Sequence, residues 1–188
     1  MSKRSNSTLV LPPGHRLHTR KLLTAYVNHN KATGLWITTI NTNQKRGGSV
    51  KPKSSHLKAF SFSSEHEARE TAYVNAPPQL IPFEGQTNCF NCENKFSSIR
   101  RRASHCRNCG VCICSSCTVR WNKFMVPETY NSKNSQNVKV CKTCDYLATA
   151  FRHAILEGSY EQASSLYMTG NINLRCPLMN VRKGNEIM

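Results

Sequence analysis

One feature constrains this chain more than any other: eight of its ten cysteines stand as four C-x2-C pairs within 56 residues. The pairs are Cys89 and Cys92, Cys106 and Cys109, Cys114 and Cys117, Cys141 and Cys144, with 13, 4 and 23 residues between successive pairs. A C-x2-C turn points two thiolates at one ion, and two such turns complete a tetrahedral four-thiolate site, so four of them make two zinc sites. A thioredoxin-like redox centre needs a single pair in a βαβ setting, which is absent here. The four-residue link between the second and third pairs is too short for both to face one ion comfortably. The spacing therefore favours a crossed arrangement: Cys89, Cys92, Cys114 and Cys117 on one zinc, and Cys106, Cys109, Cys141 and Cys144 on the other. Sequential pairing remains the alternative. Cys112, inside the link, and Cys176, far downstream, read as packed or free thiols.

Metal also answers a question of size. Between Phe83 and Thr149 large aliphatic residues are few, and so short a stretch would be marginal without a staple. Paired cysteines serve as metal ligands where thiols stay reduced, which suits a cytoplasmic setting. The start "MSKRSNSTLVLPPGHR" lacks the apolar core of a secretory signal, and no stretch approaches the roughly 20 apolar residues that span a bilayer. An acid-free, Arg- and Ser-rich beginning also fits a mitochondrial transit peptide, although no amphipathic Arg helix emerges from it.

The chain is strongly basic, with 26 Lys and Arg against 10 Asp and Glu and a formal net charge of +16. Anionic partners follow, either a membrane surface or nucleic acid. Residues 1–64 hold eleven basic residues and no acidic one. Within the cysteine region the charge gathers in "IRRRASHCR", where Arg100, Arg101, Arg102 and Arg107 flank His105. Four guanidinium groups around one knuckle exceed what screening of thiolates requires, and they suit an anion site.

Three regions separate by composition. Residues 1–79 are rich in Ser, Thr, Asn, Lys and His without a regular apolar period, so a basic, largely disordered arm is expected. "GLWITTI" and "KLLTAYV" within it are read as apolar sticky spots in a flexible arm, with transient strands or helices, or docking motifs, as the alternative. Residues 80–149 are the cysteine-rich unit. Residues 150–188 follow a change of character, because Leu147, Ala150, Phe151, Ala154 and Ile155 recur at helical spacing. Gly158 fits a helix stop, a second helix is predicted from Tyr160 to Met168, and Gly170 ends it. This tail is read as a helical pair, in outline like a single ankyrin-type unit.

At "RASHCRNCG", residues 102–110, and in the four interleaved pairs with their four-residue central link, the chain resembles the FYVE zinc-finger family. The resemblance covers residues 80–149. It implies a small zinc-stabilised α+β fold of two short β-hairpins and a C-terminal helix, carrying two Zn2+ ions. It further implies that Arg102, His105, Arg107 and Lys139 grip a phosphatidylinositol 3-phosphate headgroup, while Phe96, Ile99, Arg100 and Arg101 touch the membrane. Three departures stand out. Leu80 and Phe83 occupy the places of the family's W-x-x-D motif, Ser104 replaces the first motif histidine and Ala103 a basic residue, and Lys139 stands where the family has Arg. The missing aspartate removes an acceptor for sugar hydroxyls and the missing histidine removes a phosphate donor, so lipid selectivity is expected to weaken.

The function expected from the sequence is a non-enzymatic adaptor recruited to endosomal membrane by phosphoinositide, with a protein partner it does not identify. The alternative is a finger that has lost lipid selectivity and serves as a protein-interaction scaffold. Nucleic-acid binding is the weaker reading, because Tyr26, Trp36 and Phe60 are scattered rather than interleaved with the basic residues. Four protein ligands on each zinc leave no open position for a catalytic water.

Overall fold

The computed structural model describes residues 9–21, 25–41, 57–127, 130 and 136–174. Cys176 and the end of the 150–188 tail lie outside them.

The cysteine region folds as the spacing requires. Strands β4 (Ser104–His105) and β5 (Cys112–Ile113) form one antiparallel hairpin, and β6 (Thr118–Asn122) and β7 (Asn137–Cys141) form the second. Helix α2 (Lys142–Leu156) follows β7 directly, its first turn capped by the Cys141 sulfur, which accepts from the Cys144 N–H at 3.3 Å. The expected pair of hairpins with a C-terminal helix is therefore the fold of this region. Its core is cysteine sulfur together with Val111, Ile113, Trp121, Val126 and Val140. Trp121 keeps its polar end satisfied by donating Nε1–H to Asp145 Oδ1 at 2.7 Å.

Helix α2 carries two apolar faces. Cys144 and Ala148 face the finger core, while Leu147, Phe151 and Ala154 pack with Ala163 and Leu166 of α3 (Tyr160–Tyr167) and with Ile172. The expected boundary between residues 149 and 150 thus falls inside one helix. Gly158 stops α2 at φ +69°, and the bonds Ser159 N–H to Ala154 O (2.8 Å) and Gly158 N–H to Ile155 O (3.1 Å) close the turn as a Schellman motif.

The expectation of a largely disordered arm over residues 1–79 is corrected by the described part of it. Strands β1 (Ala25–Asn30), β2 (Leu35–Asn41) and β3 (Leu57–Phe62) form an antiparallel meander, with helix α1 (Glu65–Asn75) packed on one face. "GLWITTI" supplies β2, and the end of "KLLTAYV" begins β1. On the helix side the seam is made of small residues, Ala68 and Ala72 of α1, while β2 offers the buried Thr38 and Ile40, and the Thr38 hydroxyl donates to Ala68 O at 2.7 Å. Small apolar residues leave little periodic signal, which is why composition misleads here. The local cues were present: Asn30 and Gly34 close the β1–β2 turn, and Ser64 caps α1 by accepting from the Glu67 N–H.

Residues 9–21 form a strap laid across the finger and the helical pair. Leu9 and Leu11 join the α2–α3 core. The Arg16 N–H donates to Thr143 Oγ1 at 3.2 Å, and the Lys21 carbonyl accepts from the Gln79 N–H at 2.6 Å. Asn171 grips the strap twice, accepting from the Arg20 N–H (3.0 Å) and donating to the His18 carbonyl (2.7 Å). Arg20 is only 6% exposed; its Nη1 donates to the Tyr130 hydroxyl at 2.9 Å, and its guanidinium lies 5.2 Å from the Tyr73 ring centre.

Candidate metal centres and their basic rim

The first two C-x2-C turns are tight backbone knuckles, and the last opens helix α2. At the first, the Cys89 carbonyl accepts from the Glu93 N–H at 2.9 Å and Glu93 adopts φ +58°; at the second, the Cys106 carbonyl accepts from the Gly110 N–H at 2.9 Å with Gly110 at φ +89°. The fold then brings the knuckles together crosswise. The sulfurs of Cys89, Cys92, Cys114 and Cys117 lie within 4.8 Å of one another, and so do those of Cys106, Cys109, Cys141 and Cys144. Sequential pairing is not what the hairpins assemble.

The sulfur spacing decides what these clusters are. Cys92 and Cys114 sulfurs are 3.7 Å apart, Cys106 and Cys144 3.8 Å, Cys109 and Cys141 3.9 Å. A disulfide requires about 2.05 Å. Zn–S bonds of about 2.3 Å in a tetrahedron place sulfurs about 3.8 Å apart, so the residues present fit a four-thiolate zinc at both places. Backbone N–H groups also aim at the sulfurs, including Cys141 N–H to Cys106 Sγ (3.2 Å) and Cys114 N–H to Cys89 Sγ (3.3 Å), which favours thiolate.

Protonation adds a second test. Burial opposes charge on Cys106, yet hydrogen bonds from Cys109, Cys141 and Cys144 bring its pKa well below the ordinary thiol value. The bond to Cys106 in turn holds Cys109 and Cys144 well above it. In the other cluster burial raises Cys117, whereas at Cys92 burial is outweighed by the combined hydrogen bonds from Asn94, Cys117 and Cys89, which bring it to about 7. Thiols alone thus share charge unevenly, and four thiolates become tolerable together only around a divalent cation. Cys112 stays outside both sets. Its buried sulfur faces the Ile81 carbonyl at 3.4 Å, and burial pushes its pKa up to about 11, as suits a packed thiol.

The basic residues form a rim beside the metal centres. Residues 97–103 make a loop held by Ser97 N–H to Arg101 O (3.1 Å), Arg100 N–H to Ser97 Oγ (3.2 Å) and Ser115 Oγ to Arg100 O (3.0 Å). Arg100, Arg101 and Arg102 are exposed on it, and Ile99 is 85% exposed at its tip. Arg102 Nε donates to Ser98 O at 2.7 Å. Phe96 lies differently from Ile99, partly buried against the finger core. On the neighbouring hairpin the Lys139 ammonium donates to Ser104 Oγ at 2.9 Å, and the Arg107 N–H donates to the Lys139 carbonyl at 2.8 Å, which sets residues 104, 107 and 139 side by side.

His105 is drawn inward. It is 7% exposed, its Nε2 bonds the Ile81 carbonyl at 2.6 Å, and the Phe83 ring lies over it with centroids 4.0 Å apart. The segment before the first knuckle thus covers the imidazole, a contact that spacing alone does not reveal. Sequence reasoning also missed the docked strap: His18 sits edge-on to Phe90, and Arg16 lies 5.2 Å from the same ring while pairing with Glu93 beside the first knuckle. Its only signal was the apolar Leu9 and Leu11 in a polar segment.

Comparison with known proteins agrees with this geometry. Residues 79–149 match the FYVE zinc finger family. Pleckstrin homology domain-containing family F member 2 of Danio rerio is 33% identical over 95 residues, covering 50% of this chain and 36% of that protein. Its counterpart in Gallus gallus is 35% identical over 71 residues, 37% of this chain and 26% of that protein. FYVE, RhoGEF and PH domain-containing protein 2 of Mus musculus is 34% identical over 67 residues, 36% of this chain and 9% of that protein. The chain thus spans little more than a third of these relatives at most, and no solved structure matches it. With its two crossed four-cysteine clusters, each fitted to one zinc ion, the segment 79–149 is a FYVE zinc finger.

Proposed function

We propose that this chain is a non-enzymatic adaptor recruited peripherally to membranes, its zinc finger reading a phosphoinositide headgroup, with phosphatidylinositol 3-phosphate on endosomal membrane as the ligand the family implies. The observation that carries the reading is the loop of exposed Arg100, Arg101 and Arg102 around an exposed Ile99. An exposed apolar tip followed in the same loop by three exposed cations suits an interface where a side chain enters the acyl boundary and guanidinium groups meet phosphate. Arg102, Arg107 and Lys139 are the headgroup cations in this reading, and each cation near an anionic leaflet contributes about 1 kcal/mol. His105 would serve through whatever its buried ring presents at the rim edge. Phe96 contributes by supporting the loop from the core side rather than by insertion. The zinc sites, closed by four sulfurs each, act as structural braces.

A second reading, a scaffold for protein contacts without lipid selectivity, also has an observation behind it. Phe83 places an apolar ring over His105, where an acceptor for sugar hydroxyls would otherwise be, and one imidazole nitrogen is occupied by Ile81 O. Exposed Ile155, Leu156, Tyr160 and Met168 at the α2–α3 turn offer apolar contacts. Nucleic acid remains the weaker ligand for the basic surface.

Vesicle flotation separates these readings. The zinc-loaded chain is expected to float with vesicles containing phosphatidylinositol 3-phosphate and much less with vesicles of equal charge lacking it, and Arg107→Ala is expected to abolish the difference. Equal flotation with both vesicle types would overturn the headgroup reading and leave the scaffold.

A further inference from the structure

We propose that Ser104 is a phosphorylation site, and that its phosphate closes the basic rim against anionic ligands. The consequence for membranes rests on the reading above; the chemistry of the site does not.

Three observations converge on this serine. Exposed Arg100, Arg101 and Arg102 stand four, three and two residues before it, so a protein kinase with an acidic substrate cleft finds consecutive guanidinium groups leading to the hydroxyl. Ser104 is partly exposed at the start of the two-residue strand β4, which pairs with Ile113 and Cys112 of β5, so the hydroxyl stands at the outer end of the segment while His105 and Cys106 after it are buried. Its Oγ already lies 2.9 Å from the Lys139 ammonium, and Arg107 is fastened beside Lys139 through the backbone.

The reaction is a phosphoryl transfer from ATP held by the kinase. Ser104 Oγ attacks the γ-phosphorus, the new O–P bond forms as the bridging bond to ADP breaks, ADP leaves with the electron pair, and the hydroxyl proton passes to the kinase's base and then to water. The product carries a charge of about −1.5 to −2 and three acceptor oxygens. Lys139 lies in reach without rearrangement, and because the phosphate is tethered it competes with any headgroup for the same cations. Removing about two positive charges from a membrane-facing rim weakens binding to anionic vesicles on the order of thirtyfold. A serine where the resemblance calls for histidine thereby exchanges a fixed donor for a neutral group that becomes an anion when modified.

The test uses the full zinc-loaded chain, a kinase selective for Arg two and three residues before serine, and Mg–ATP. Intact and fragment mass analysis is expected to place one phosphate on Ser104, absent in Ser104→Ala. The 31P resonance is expected to titrate at lower pH than that of a phosphopeptide of residues 99–108, and to move back toward the peptide in Lys139→Met. Vesicle sedimentation of the phosphorylated chain is expected to fall about thirtyfold. If the peptide is modified and the folded chain is not, the site is refuted; if the folded chain is modified and the 31P midpoint equals the peptide's, the clasp by Lys139 is refuted. A clasped phosphate with unchanged vesicle affinity refutes the switch. Failure of the unmodified chain to bind any vesicle overturns the membrane reading instead, while the 31P titration still decides the clasp.

Discussion

Replacing Gly110 by alanine isolates how the segment before the finger is fastened to the second knuckle. A Cβ at Gly110 would lie 2.1 Å from the Gln79 carbonyl oxygen and 3.0 Å from its carbon, both backbone atoms, at φ +89°. The left-handed conformation costs a non-glycine residue about 1–2 kcal/mol, and forcing backbone apart in a packed region costs about 1–3 kcal/mol more. Residues 79–82 cannot simply retreat. The Ile81 N–H donates to Gly110 O at 3.0 Å, and Ile81 O accepts from His105 Nε2 at 2.6 Å and from the Cys112 thiol at 3.4 Å. The expected loss is therefore about 2–5 kcal/mol, consistent with the mechanisms that give large mutational effects. Gly85→Ala is the control: φ is +77° but nothing lies within 4 Å, so only the conformational cost of about 1–2 kcal/mol applies. Urea unfolding of both zinc-loaded variants, followed by tryptophan fluorescence, measures the difference. Equal destabilisation of the two would refute the contact between Gly110 and Gln79 as the reason for glycine.

Metal analysis is expected to find two tightly held zinc ions per chain, and chelation to unfold both finger hairpins. Structural zinc contributes about 10–16 kcal/mol in apparent binding, comparable to or above the 5–15 kcal/mol total stability of typical domains; retention of hairpin amide protection after chelation would contradict this. Tyr130→Phe removes the acceptor of the buried Arg20 guanidinium and is expected to cost about 1.5–3 kcal/mol in urea unfolding, whereas a change below about 0.5 kcal/mol would show that this bond does not hold the strap. Burial, with help from Lys21, lowers the pKa of His18 below 6.5, so the docked strap favours neutral imidazole. Its contribution is complete above 6.5 and is lost as pH falls through the lowered value, and amide exchange of residues 9–21 should quicken on acidification in the wild type more than in His18→Gln. Identical pH profiles for the two would remove His18 from the account.

Much of this molecule follows from short-range pattern. The four C-x2-C pairs specify two metal sites because a knuckle is made by adjacent residues, and the ends of α2 and α3 near Gly158 and Gly170 follow from glycine's tolerance of positive φ. The arginine run before Cys106 announces a strongly basic surface for the same reason, since its charges are neighbours in the chain. Contacts between distant residues needed the tertiary structure. Spacing left two ways to combine the knuckles, and only hairpin geometry puts Cys89 with Cys114 and Cys106 with Cys141. Ala68 and Ala72 carry too little apolar area to advertise α1, which becomes stable where β2 offers Thr38 and Ile40. The strap from Leu9 to Lys21 is polar enough to read as disordered, and it is ordered by Asn171, Thr143 and Gln79, residues 58 to 153 positions away from their partners in the chain. Sequence thus determined the donors and charges, because those reside in single residues and their neighbours. Only tertiary packing decided which donors meet and which cations stay at the rim, because burial and pairing are properties of segments that meet in space.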